Sequence, residues 1–243
     1  LLAKPIRKKI LTPIDRFGII RDAFMLSQSG QISSVDALEL AIAFKKEEEY
    51  IVWAEVSSDL RTIDNLLFFE PFYEQYKKFC RAIFEEIAKK VGWDKKSQES
   101  HMQTLLRSIA IYGLGASGDK KTISKAKSFF GKALAKNSKL DADLRAVIYN
   151  LVAENGKEKE YLQFMDLYKK TSLHEEKDRI LRALCSFRNK ELLGKTLAFA
   201  FSENVRAQDM YKAISFVFAN PMGRDLAWDF LKNNWPTIEK LFS

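Results

Sequence analysis

Histidine and cysteine occur only twice each in 243 residues, as His101, His174, Cys80 and Cys185, and this scarcity restricts the available chemistry. Two cysteines far apart in sequence form neither a CxxC pair nor a disulfide framework, which fits a reducing, cytoplasmic location. His174-Glu175-Glu176-Lys177-Asp178 begins like the zinc-peptidase motif HExxH. That motif needs two histidines one helical turn apart, and its fifth position here is Asp178. No metal is expected at His174, and the acids that follow it suit a helix N-terminus. No GxSxG elbow is present and neither cysteine has a histidine nearby in sequence, so both cysteines are expected in the core.

Long apolar runs are missing too. No window approaches the roughly 18 uninterrupted apolar residues of a membrane span. Lys4, Arg7, Lys8 and Lys9 precede a helix signal rather than a secretory apolar segment, so no membrane partner is expected. Proline is absent from Phe72 to Asn220, and all five prolines fall at expected helix ends.

What remains reads as helix. Starts are expected at Thr12-Pro13, at Ser33 with Asp36, and at Glu70-Pro71; stops at Gly30, Gly92, Gly118 and Asn155-Gly156. Apolar residues recur at three and four, as in Met102, Leu105, Leu106, Ile109 and in Leu162, Met165, Leu167, Tyr168. Strands are needed nowhere. From about residue 157 the chain cycles through helix pairs, 157–187, 188–219 and 220–242, each near the length of a HEAT-type repeat. The run Glu47-Glu48-Glu49 fits the first turn of a helix. Trp53, Trp93, Trp228 and Trp235 are expected to knit neighbouring helices together.

Gly113-Leu114-Gly115-Ala116-Ser117-Gly118 satisfies GxGxxG, but a dinucleotide turn must leave a strand, and the preceding segment is helically patterned. A glycine-rich turn between helices is the better account. The formal charge is +8, and the densest basic stretch, residues 119–139, carries Lys120, Lys121, Lys125, Lys127, Lys132, Lys136 and Lys139. Opposite them stand Ala126, Phe129, Phe130, Ala133 and Leu134, the pattern of an amphipathic helix with a solvated lysine face. Lacking arginine and an aromatic off the apolar face, it does not read as a nucleic-acid surface.

One segment is more distinctive: Ala219-Asn220-Pro221-Met222-Gly223-Arg224-Asp225-Leu226-Ala227-Trp228-Asp229-Phe230-Leu231-Lys232-Asn233-Asn234-Trp235. Together with Leu11–Gly18 and Asp22-Ala23-Phe24, Tyr50–Trp53, Val91–Asp94, Asp143–Tyr149 and Asn204–Asp209, it resembles the C-terminal helical domain of zinc aminopeptidases of the puromycin-sensitive and aminopeptidase N family, the gluzincins. The match runs in order from about Leu11 onward.

The resemblance implies an all-α, HEAT-like helical-repeat array, a bowl-shaped α-solenoid of antiparallel helix pairs. It implies one domain, residues 1–243, excerpted from a longer aminopeptidase and lacking the upstream catalytic domain and the last C-terminal helices. Zinc, an HExxH motif and a Gly-Ala-Met-Glu-Asn segment that recognises peptide amino termini belong to that upstream domain. Neither motif occurs here, so no catalytic residue carries over and the chain alone is expected to be inactive. Its expected role is to cap the active site and shape the peptide cavity, with the catalytic zinc domain and peptide substrates as partners and no nucleic acid. Arg16, Arg145 and Arg206 lie in family-like segments and are candidates for substrate-facing or interdomain positions; they and Asp209 equally suit ion pairs between helices. A free-standing helical adaptor is the alternative, and a lysine-based nucleic-acid array a second rival.

Overall fold

Thr12 opens the first long helix. In the computed structural model of the chain, which describes residues 2–136 and 138–242, the Asp15 N–H donates to the Thr12 hydroxyl. The Thr12 N–H donates in return to the Asp15 carboxylate, and Pro13 takes the first helical position. Ser33 caps the next helix by accepting the Val35 N–H at 3.1 Å. The described residues form fourteen α-helices and no strand: α1 Ala3–Arg7, α2 Pro13–Gln28, α3 Ser34–Ala41, α4 Tyr50–Leu67, α5 Tyr73–Val91, α6 His101–Ala116, α7 Lys120–Lys136, α8 Arg145–Glu154, α9 Glu158–Lys170, α10 His174–Leu184, α11 Lys190–Ala200, α12 Ala207–Ala219, α13 Arg224–Asn233 and α14 Trp235–Phe242. A 3-10 segment, Ile42–Lys46, precedes α4. The all-α expectation holds.

The expected stops are also observed. Gly30, Gly92 and Gly118 take positive φ values of 74°, 66° and 88° just past α2, α5 and α6, and Asn155 ends α8. Glu70-Pro71 differs from expectation: it lies in the turn after α4, where the Tyr73 N–H donates to the Glu70 carbonyl, and Phe72 is the residue that leads into α5. Glu47–Glu49 forms the extended lead into α4 rather than its first turn.

The chain divides into two compact units, Leu1–Thr122 and Ile123–Ser243. In the first, α4 packs between α2 and α6, and α6 lies along α5. Ile20, Phe44, Val52, Trp53, Val56, Ile83 and Phe84 fill the space between them, each worth about 1.5–3 kcal/mol when fully buried. The Trp53 and Phe84 rings sit 5.3 Å apart. A Cβ on Gly113 would come within 2.4 Å of the Phe84 ring, so the first glycine of the GxGxxG string is there to let α6 approach α5. The string itself lies at a helix end with no strand before it.

In the second unit, α8 and α9 both pack on α10, and α12 packs on α10, α11 and α13. The expected pairs appear as α9–α10, α11–α12 and α13–α14, each a set of spatial neighbours. Phe130, Tyr149, Phe164, Phe187 and Tyr161 form a relay of ring contacts, with Phe130 and Phe164 stacked at 4.7 Å and Tyr161 edge-on to Phe187 at 5.4 Å. Trp228 and Trp235 correct an expectation: both are 51% exposed, and Lys232 lies over the Trp228 ring. On α9 the buried set is Tyr161, Phe164 and Tyr168, while Leu162 faces outward.

Candidate functional site

Arg16 enters the first core from α2, and its guanidinium is fully engaged. Its Nε donates to Glu47 Oε2 at 2.6 Å and one Nη to Glu47 Oε1 at 2.9 Å, while the other Nη reaches the Leu11 carbonyl. The Glu47 carboxylate also accepts the N–H groups of Glu48 and Glu49, and the Glu47 carbonyl accepts the Trp53 indole N–H. Desolvation pulls the Glu47 carboxyl upward. The Arg16 hydrogen bonds and two backbone N–H groups outweigh it and hold Glu47 below its usual range; those same bonds raise Arg16.

Arg145, on α8, donates to Glu176 at 2.9 Å and to the Leu140 carbonyl at 3.0 Å. Glu176, in the first turn of α10, also accepts from Tyr149 and Arg179. Burial acts to raise the Glu176 carboxyl, yet Tyr149 and Arg145 keep it lowered. The His174 segment is therefore a helix start whose second acid anchors α8 to α10.

Arg206 stands at the N-cap position of α12, and its side chain donates to Asp209 at 2.7 Å. Lys212 bridges Asp209 and Asp178 at 2.8 and 2.9 Å, so two cations and two anions close on each other. Asp209 is buried and would rise by desolvation, but Lys212 and Arg206 hold it low. Of the three arginines singled out by sequence, Arg16 is sealed, Arg145 is mostly covered, and Arg206 is open to solvent over 39% of its side chain. Each ties its own pair of segments: Arg16 joins α2 to the lead into α4, Arg145 joins α8 to α10, and Arg206 joins the start of α12 to α10.

Two buried charged residues escaped the sequence reading. Asp59 lies on the inner face of α4 with one carboxylate oxygen lacking any hydrogen-bond partner. Desolvation, with help from Glu55, pushes its pKa up to about 7. Arg107, on the inner face of α6, pairs with Glu99, while its Nε has no partner. The available signal was position: each charged side chain occupies a site where the helical period calls for an apolar residue, beside Val56 and Leu60 or Leu106 and Ala110.

A cavity of about 540 Å³ opens beside Glu99, lined by Glu48, Lys90, Lys96, Ser100 and Gln103 among others. Several of its charged walls are paired: Glu48 with Lys9 and Lys90, Glu99 with Arg107, and Lys96 with the Lys90 carbonyl. Burial pushes the Cys80 thiol up to about 12 and raises Cys185 as well, so neither is a thiolate at neutral pH. No group of three His, Cys, Asp or Glu side chains that could hold a metal exists among the described residues, and protonated buried thiols are poor zinc ligands.

Comparison with known proteins gives these buried ion pairs a context. The ERAP1-like C-terminal domain model matches residues 1–243. The chain is 31% identical over 230 residues to aminopeptidase 2 of Candida albicans, covering 92% of this chain and 25% of that protein. It is 32% identical over 240 residues to aminopeptidase M1-A of Oryza sativa subsp. japonica, at 96% and 27% coverage. Human glutamyl aminopeptidase is 29% identical over 238 residues, at 96% and 24%. The chain thus spans about a quarter of the length of these relatives.

Proposed function

The chain belongs to the ERAP1-like C-terminal domains of M1 aminopeptidases, and from that membership we propose that it is the non-catalytic helical part of a zinc aminopeptidase that trims peptides from their amino termini. The match over residues 1–243 to a domain of aminopeptidases carries this reading. The chemistry then belongs to a catalytic zinc domain of the same polypeptide, and this chain caps that site, shaping the cavity in which a peptide is positioned and screened from bulk water. The consecutive pairs α9–α10, α11–α12 and α13–α14 serve as HEAT-like repeats. Two buried, unbridged cysteines support a cytoplasmic location.

The test begins with the coding sequence upstream of Leu1. An HExxH motif followed by a distal glutamate is expected there, and an in-frame start immediately before Leu1 would point instead to a free-standing adaptor. The 243-residue chain, supplied with zinc, is expected to release no amino acid from a peptide. Deleting residues 1–243 from the full polypeptide should slow turnover of an octapeptide far more than of a single amino-acid amide. Zinc-dependent release by the chain alone would overturn the proposal.

A further inference from the structure

The charge of this chain is concentrated in one place. Seven lysines and no acid lie in residues 120–139, which leaves the rest of the chain, with 33 basic and 32 acidic residues, at +1 of the total +8. Within the second unit, Lys125, Lys132 and Lys136 recur along α7 at intervals that place them in an arc of about 40° over about 16 Å of helix. All three are exposed. Lys132 and Lys136 make no ion pair or hydrogen bond among the described residues, in contrast to the closed clusters around Arg16, Arg145 and Arg206. Lys125 lies over the Phe129 ring.

Beside the lysines runs a shelf of small exposed residues, Ser124, Ser128, Gly131 and Ala135. Gly131 is the informative one. A Cβ there would meet nothing within 4 Å, so packing does not require glycine, although a mid-helix glycine costs about 1 kcal/mol relative to alanine. A bare, cationic helix face lets another backbone approach closely.

We propose that this face of α7 docks an extended acidic stretch of polypeptide, which makes peptides with alternating Asp or Glu a favoured substrate class of the parent enzyme. The proposal rests on the aminopeptidase reading for its biological setting. Its geometry is independent of that reading: Lys132 and Lys136 are separated by about 6 Å along the helix, close to the roughly 6.7 Å between same-face residues of an extended chain. From Lys125 to Lys136 the face spans about five residues of an extended chain, of which about three share one face. A nucleic acid is disfavoured because the face offers neither arginine nor a free aromatic for stacking. A membrane is disfavoured because Ser124, Ser128, Gly131 and Ala135 provide no apolar anchor beside the charges.

The experiment is fluorescence anisotropy on the 243-residue chain, with a fluorescein-labelled octapeptide of alternating Glu and Ala and its Gln counterpart. The Glu peptide is expected to bind, more weakly as salt rises, and the Gln peptide to bind at least several-fold more weakly. Lys125→Glu/Lys132→Glu/Lys136→Glu should raise Kd roughly tenfold or more. Gly131→Leu, which keeps every charge and improves helix propensity, should also weaken binding, with circular dichroism confirming the fold. Equal binding of the Glu and Gln peptides, or no loss in the triple variant, would overturn the proposal. So would tighter lysine-dependent binding of oligo-dT or of phosphatidylserine vesicles. In the full polypeptide the two claims separate. Glu-peptide binding without peptide cleavage would sink the aminopeptidase reading alone; cleavage of Glu and Gln peptides at equal kcat/KM, unchanged by charge reversal, would sink this one alone.

Discussion

Arg16 and Glu47, 31 positions apart in the chain, meet through two hydrogen bonds of 2.6 and 2.9 Å with side chains only 4% and 2% exposed. The pair fixes α2 against the segment that launches α4. Glu47 uses its remaining capacity on the N–H groups of Glu48 and Glu49, which would otherwise be unpaired at the start of that helix.

Removing one partner should therefore be costly. Arg16→Met leaves a buried carboxylate without its counter-charge and is expected to lower unfolding free energy by about 3–5 kcal/mol; adding Glu47→Gln should recover part of that loss. Urea denaturation of the two variants checks it, and a loss under about 1 kcal/mol would show the pair to be dispensable. Because the Glu47 pKa is lowered on folding, its contribution is present above the ordinary value of 4.5 and is lost as pH falls through the folded value.

Asp59 has the opposite pH dependence. Its pKa rises from 3.8 to about 7 on folding, so stability is unaffected below the lower value, declines as pH climbs between the two, and levels off above. Asp59→Asn removes the titration. Its melting temperature, measured relative to the parent chain, should gain by about 5 °C between pH 4 and pH 8. A gap independent of pH would show that the carboxyl is solvated.

Gly113 and Gly131, both helical, should respond oppositely to alanine. At Gly113 the new methyl meets the Phe84 ring, with an expected cost of about 1–3 kcal/mol. At Gly131 it meets open space, with an expected gain of about 0.5–1 kcal/mol. Thermal melts of the two variants decide it.

Both thiols should be silent in the folded state. Cys80 and Cys185 are buried with raised pKa values, so Ellman's reagent should label neither until urea unfolds the unit that holds it. Rapid labelling of either without denaturant would place that thiol at the surface.

Much of the fold was legible in the sequence because helix punctuation is local. Thr12-Pro13, Ser33, Gly30 and Gly92 act within their own turns, so their patterns survive without tertiary knowledge. Glu70-Pro71 misled because a proline that suits a first helical turn also suits the turn before one. Trp228 and Trp235 stand at helical spacing among apolar residues, a pattern that suits packing, whereas exposure depends on which neighbours the fold places against them. The family was readable from ordered motifs, but the partners of Arg16, Arg145 and Arg206 were not, since pairs such as Arg16–Glu47 and Arg145–Glu176 join positions that only folding brings together.

The tryptophans divide the molecule optically. Trp53 is buried and Trp93 partly covered in the first unit, whereas the second holds only the half-open Trp228 and Trp235. Shielded indoles emit to the blue and hydrated ones to the red, and only the latter are readily quenched by acrylamide. The native emission band is thus a sum of two spectrally distinct contributions, one from each unit, and a single intrinsic-fluorescence trace can report the unfolding order of the two halves without a label.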